Sequence, residues 1–383
     1  MKKMIKDLVK RRFTRLVKVE FDLIQAFKKA CISRPAPAFR KAISGVSVCY
    51  LSNIFPRRPP NRNGFASGGN VKLLYLAEVF PHSYPSANIL YSVSSVGHMQ
   101  TPEIVSQAKD KKLKVVVNQN GVAYPAWHGP GWEASNKWHN AHLEQADYIV
   151  YQSKFCQIGA EHFLTPPDVP HDVIYNPVDT SLFRPVQLLR KPKNLTLLLG
   201  GNQNERYRLE LALLTFQVVL RENPNARLMV TGHLWKPEAD AHIWTQRFLK
   251  ENDLLDKVIL TGAYSQKQAP DLFNQAHILL HTQYNDASPT LVLEAMASGL
   301  PVVYLDCGGV PELVAQAGLG VPVAHSWDNI NLPDPEAIGT AVLEIMPRYA
   351  EFAKIARERT NELFSLKIFI EKHRQIFENV LGR

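Results

Sequence analysis

Short apolar runs alternate with longer amphipathic stretches along most of the chain. Runs bounded by turn residues predict strands over Gly45–Asn53, Ala87–Ser95 and Lys114–Val122. Between the first two, Val71, Leu74, Leu76 and Val79 suit a buried helix, and PEIVSQAKDKK reads as a crossover helix before the third. In the second half NLTLLLGG, ARLMVTG, KVILTG, LPVVYLD and VPVAH repeat the strand signal, and ERYRLELALLTFQVVLREN follows the first of them as an amphipathic helix. A helical run is predicted from Pro335 to Leu381. Strands alternating with helices imply parallel sheets, whose binding crevice lies at the carboxyl ends of the strands.

With 383 residues the chain exceeds what one core usually serves, so two domains are expected. The division is an arm and linker over 1–40, a Rossmann-like domain over 41–180, a second over 181–362, and a final helix over 363–383. At 45% hydrophobic and 21% charged residues the composition is that of a globular protein.

The net charge of +9 suggests nucleic acid until the charges are located. Up to Arg62 there are 16 Lys/Arg against 3 Asp/Glu; the remainder has 28 against 32. The folded body is mildly acidic, which argues against a nucleic-acid partner, and the basicity belongs to the N-terminal arm. In residues 1–30 Ile5, Leu8, Val9, Phe13, Leu16 and Val17 recur at helical spacing among Lys10, Arg11, Arg12, Arg15 and Lys18. Such a basic amphipathic helix fits an anionic membrane surface; it also fits a helix packed on its own domain, or a tail. No run approaches the ~18–20 apolar residues of a membrane span, and charges interrupt every candidate signal-peptide core. Cys31, Cys49, Cys156 and Cys307 form no C-x-x-C pair, so reduced thiols and a cytoplasmic location, peripheral on the inner face of the membrane if the arm binds there, are expected.

In the first half Gly64, Gly68 and Gly69 stand between a strand and a helix, where backbone amides can approach a phosphate or sugar; glycines also serve ordinary turns. Ser94, Ser95 and His98 follow one strand end, and Asn118, Asn120 and Tyr124 another. Each can instead cap a helix or close a turn. His139 and His142 are three apart on a predicted helix but have no acidic third ligand, so no metal site is expected. Trp and His residues around them suit stacking on a sugar or lipid-linked acceptor, or ordinary packing.

The second half carries the specific signal. DVIYNPVDTSLFRP, from Asp172 to Pro185, resembles the interdomain signature of the retaining glycosyltransferases of family four, with Pro177 where the family has Gly. Further on, Asp286 and Glu294 are separated by seven residues; Ala287-Ser288-Pro289 follows the first acid, and Glu294-Ala-Met-Ala-Ser-Gly-Leu-Pro-Val-Val matches the family string in full, with Gly308-Gly309-Val310-Pro311-Glu312 after it. The resemblance implies a GT-B fold, two Rossmann-like α/β domains facing a cleft, the first shorter than is usual in the family and the final helix crossing back to it. It also implies transfer of a hexose with retained configuration from a nucleotide diphosphate sugar to a glycan or lipid-linked acceptor, without metal or cofactor.

By that resemblance the family's diphosphate-binding Arg and Lys fall on Asn202 and on Arg206 or Arg208, while Gly262 to Tyr264 lie against the base. A helix starting near Pro289 would present the free N–H groups of Ser288, Thr290 and Leu291 to the diphosphate. Glu294, ionised, would accept both ribose hydroxyls, and Asp286 would face the positive charge that develops on the sugar. His98, Asn120 and His128 are candidates for the first domain's catalytic group. The departures at Asp286, Asn202 and Pro177 leave a second reading: a GT-B protein that binds a nucleotide sugar or a partner enzyme as a scaffold.

Overall fold

The computed structural model describes residues 38–40, 45–55, 57, 68–98, 100–186 and 194–383. The basic arm with its membrane-surface expectation, Cys31 and Gly64 lie outside the described residues.

The first domain is a parallel sheet of β1 (Val48–Leu51), β2 (Ile89–Val93), β3 (Lys114–Gln119), β4 (Tyr148–Tyr151) and β5 (His171–Val173), in that spatial order. Its central strands are apolar runs because both faces are covered. One face carries α1 (Gly68–Val79). On the other lie α2 (Thr101–Asp110), α4 (Trp132–Leu143) and α5 (Lys154–Phe163), with the short α3 (Pro125–His128) at the strand ends. Ser153 starts α5 by accepting a hydrogen bond from the Cys156 N–H at 3.0 Å.

The second sheet is also parallel. It contains β6 (Thr196–Leu199), β7 (Arg227–Thr231), β8 (Val258–Gly262), β9 (Ile278–His281), β10 (Val302–Asp306) and β11 (Gly318–Pro322), in the order β11-β10-β9-β6-β7-β8. Its helices are α6 (Arg206–Glu222), α7 (Glu238–Glu251), α8 (Ala269–Phe273), α9 (Thr290–Ala297), α10 (Val310–Val314), α11 (Pro335–Ile345) and α12 (Tyr349–Leu363). The chain winds outward from β6 through β8, then resumes at β9 on the other side of β6. The resulting reversal of strand order opens a crevice at the carboxyl ends of β6 and β9.

Two elements differ from expectation. β11 begins three residues before VPVAH, because Gly318 lets the backbone approach β10: a Cβ there would lie 1.9 Å from the Val302 carbonyl oxygen. The terminal helical run is three helices, the last being α13 (Leu366–Val380). α13 packs against the first domain. Phe369, Ile376 and Phe377 join α1 and the first sheet in one apolar cluster, and buried His373 Nε2 sits 2.9 Å from the Tyr91 hydroxyl. Covered on both sides, α1 is apolar almost all round.

Candidate active site

At the strand-order reversal lies a cavity of about 460 Å³. Gly200 to Asn202 follow β6, Gly232 and His233 follow β7, Ala263 and Tyr264 follow β8, and Asp286 with Pro289 to Leu291 and Glu294 close it from the β9–α9 connection. α9 starts at Thr290, so the N–H groups of Thr290 and Leu291 have no partner within the helix and stand at the cavity wall. Glu294 lies one turn further in; burial pushes its carboxyl up to about 8.

The loop carrying Asp286 is shaped by its neighbours. Asn285 adopts a left-handed conformation at φ 50°, and the Asp286 carbonyl accepts from the Gly309 N–H at 2.8 Å. A Cβ on Gly309 would fall 2.0 Å from the Ala287 carbonyl oxygen, and one on Gly308 2.5 Å from that of Asp286. The Gly308-Gly309 pair is thus a steric requirement of the acidic loop. Below it, buried His281 at the end of β9 brings Nε2 to 3.4 Å from Asp286 Oδ2.

The two arginines separate. Arg206 lies outside the cavity, paired with Glu210 at 3.2 Å and stacked 4.5 Å over the Trp244 ring. Arg208, two residues on, is turned by the helix into the cavity, where it is 6% exposed. One guanidinium nitrogen donates to the Asn202 carbonyl, while its buried Nε has no hydrogen-bond partner. Asn202 itself accepts from the His233 N–H at 3.0 Å through its side chain, ordering the loop rather than supplying charge.

A second cavity, of about 500 Å³, lies on the first-domain side of Asp286, which lines both. Ala287 and Ser288 face this one, so the expected donor loop is shared between the two. Asn120 and His128 line it; His98 lines neither cavity. His98 serves the turn before α2, its carbonyl accepting from Thr101 Oγ1 at 2.6 Å and its Nδ1 from the Gln100 N–H at 3.1 Å. Gly69 also lines neither, and Gly68 beside it opens α1. Gly69 lets α1 approach the β2 end, since a Cβ would meet Ser95 Oγ at 2.6 Å. Gly262, at φ 69°, ends β8 just outside the cavity that Tyr264 enters.

His142 is a packed core residue whose Nδ1 lies 2.9 Å from the Trp138 carbonyl oxygen. Among the described residues no group of three or more His, Cys, Asp or Glu is placed to hold a metal. Cys49, Cys156 and Cys307 are buried and unbridged, and no described helix is long and apolar enough to cross a membrane.

Two groups near the site had no prominence in the sequence. Lys72, buried in α1, donates to Asn118 Oδ1 at 2.6 Å, Asn120 Oδ1 at 2.7 Å and Gln152 Oε1 at 3.0 Å. Burial pushes it down to about 7, yet three acceptors match the three N–H bonds of the ammonium form. A single lysine on an otherwise apolar helix was the available signal. Trp327, from the loop after β11, stacks on Phe155 at 5.1 Å and meets Tyr124 at 4.7 Å, and its carbonyl accepts from the Ala126 N–H. It joins the second domain to the first beside Tyr124 and Phe155, which line the second cavity.

Residues 182–333 match the family described as glycosyl transferases group 1. A phosphatidylinositol N-acetylglucosaminyltransferase subunit from Arabidopsis thaliana is 27% identical over 174 residues, 45% of this chain and 37% of that protein. N-acetyl-alpha-D-glucosaminyl L-malate synthase of Bacillus anthracis is 21% identical over 302 residues, 77% of this chain and 75% of that protein. The chain spans about a third of the length of the plant protein and of its human counterpart, which it also matches. In structure it superimposes on sucrose-phosphate synthase from Thermosynechococcus elongatus with a TM-score of 0.66 at 15% identity, covering 88% of this chain and all of that one. Anabaena HepE in complex with UDP gives 0.65 at 14% identity, covering 87% and 100%. The chain therefore has the GT-B architecture, and its residues 182–333 match the group 1 glycosyl transferases.

Proposed function

We propose that the chain is a retaining glycosyltransferase that moves a hexose from a nucleotide diphosphate sugar to a glycan or lipid-linked acceptor in cell-surface polysaccharide synthesis. One observation carries this reading. The buried Arg208 guanidinium, with a spare Nε–H, shares a single cavity with the α9 N-terminus, Glu294 and Asp286. A guanidinium and free helix amides suit a diphosphate, and a carboxylate suits ribose hydroxyls. Asp286, where the two cavities meet, faces the transferred sugar on one side and the acceptor on the other.

In the reaction the bond from the anomeric carbon to the diphosphate oxygen breaks as the acceptor oxygen bonds to the same face of that carbon. The acceptor's proton passes to the leaving diphosphate. Asp286 stabilises the positive charge between the two events, and Arg208 with the α9 amides stabilises the negative charge on the leaving group. No metal is needed for this division of labour. The basic arm would hold the protein on the anionic cytoplasmic face of the membrane.

The test is incubation with UDP-, GDP- and ADP-sugars, with and without lipid or glycan extract, following nucleotide release. Acceptor-dependent release is expected. Tight nucleotide-sugar binding with no turnover under any condition would instead make the protein a scaffold. Loss of sedimentation with anionic liposomes on deleting residues 1–30 is the corresponding test of the arm.

A further inference from the structure

The acceptor-side cavity has a chemistry of its own, and the inference drawn from it rests on the glycosyltransferase reading. Its outer wall is Trp127 on α3, 55% exposed although most large apolar side chains in the domain are buried. Trp138 and His139 on α4 line the same cavity, with Ser135 one turn earlier. The floor is Ser95 and Asn120 at the ends of β2 and β3, with Asn120 Nδ2 donating to Ser95 Oγ at 2.5 Å. An exposed indole offers a flat apolar face, and the remaining groups offer hydroxyl, amide and imidazole hydrogen bonds.

These polar groups are uncharged. Burial, with His142 and His128 nearby, pushes His139 down to about 4, so its imidazole is neutral at physiological pH. Its Nδ1 is buried with no hydrogen-bond partner. The Asp286 carboxylate lines the cavity and repels an anion, while the Lys72 ammonium beneath it is taken up by Asn118, Asn120 and Gln152 and does not itself line the cavity. A pyranose ring meets all of this at once: its C–H face covers an indole while its hydroxyls satisfy amide, hydroxyl and imidazole groups.

We propose that this cavity selects an uncharged glycoside as acceptor, with its terminal pyranose stacked on Trp127, hydrogen-bonded to Asn120, Ser135 and His139, and directed toward Asp286. Anionic small acceptors, such as the L-malate in the name of the Bacillus anthracis relative, are disfavoured here.

The test uses the full chain, first titrated with UDP, GDP and ADP, then examined by saturation-transfer NMR with methyl glucoside, methyl mannoside, L-malate and glucose 6-phosphate. Saturation of at least one neutral glycoside is expected, weakened about tenfold in Trp127→Ala and restored in part by Trp127→Phe, with nucleotide affinity unchanged. Preference for malate or the sugar phosphate, or a Trp127→Ala variant that binds the glycoside as well as the parent, overturns the acceptor assignment while nucleotide binding stands. Failure to bind any of the three nucleotides overturns the glycosyltransferase reading itself.

Discussion

The Glu312 carboxylate of the second domain accepts a hydrogen bond from the backbone N–H of Lys154 in the first, at 2.8 Å, where the chain enters α5. Its other oxygen takes the Phe155 N–H at 3.0 Å. A carboxylate at the first turn of a helix is favoured by the unpaired amides and the helix dipole, so this contact ties the two domains together across the boundary. Ser153 Oγ reinforces it by donating to the Ala287 carbonyl at 2.7 Å. Glu312→Ala should destabilise the chain by about 1 kcal/mol and raise the donor KM more than it lowers kcat, since it frees the domains without touching the reacting atoms. Denaturant titration with steady-state kinetics checks both. Unchanged KM would mean that cleft closure does not depend on this bond.

The contrast between Arg206 and Arg208 gives a second prediction. Arg206 is an exposed helix-surface residue, and Arg206→Ala should leave nucleotide affinity within about twofold of the parent. Arg208 is buried in the cavity. Arg208→Lys keeps the charge but loses the planar fork, and should weaken nucleotide diphosphate binding by about ten- to a hundredfold. Calorimetry on both variants decides. If the larger loss followed Arg206, the assigned helix phase would be wrong.

Much of the second domain was legible because its strands are apolar runs covered on both faces, and because the Asp286–Pro301 string brings its own helix start and glycine turn. The arginines show where legibility ended. Two residues apart on a helix differ by about 200° in direction, so choosing between Arg206 and Arg208 required knowing that Leu209, Ala212 and Phe216 face the core. His98 and Gly69 occupy plausible strand-end positions, yet a turn and a close helix approach account for them. Lys72 and Trp327 act through contacts between segments distant in sequence, which no local pattern encodes.

Gly309→Ala tests the steric account of the acidic loop. The added methyl would meet backbone, the Ala287 carbonyl oxygen at 2.0 Å, rather than a side chain free to rotate. The loop must move, and with it Asp286. Destabilisation of about 2 kcal/mol or more and at least a hundredfold loss of kcat are expected, the latter because small misplacements of reacting groups are expensive. Thermal unfolding and turnover measure the two separately. A variant with parental kinetics would show that the loop tolerates displacement, and would remove Asp286 from the reacting centre.

Glu294 gives its cavity a pH dependence of definite sign. Burial raises its folded-state pKa to about 8 from an ordinary carboxyl value near 4.5, so between those values the folded chain holds a proton that the unfolded chain has released. Its contribution to stability therefore falls as pH rises from about 4.5 to about 8, and Glu294→Gln should flatten that slope. Nucleotide binding runs the other way. If the ionised carboxylate accepts the ribose hydroxyls, the free protein must lose the proton on binding, and affinity should rise by up to about tenfold per unit as pH increases toward 8, then level off. Tyr264, Arg208, His281 and Asp286 share the cavity. The glutamine variant, which leaves those four in place, isolates the Glu294 contribution. Calorimetry in two buffers of different ionisation enthalpy should show close to one proton released at pH 7 for the parent and none for Glu294→Gln. Equal proton counts in the two proteins would place the ribose elsewhere.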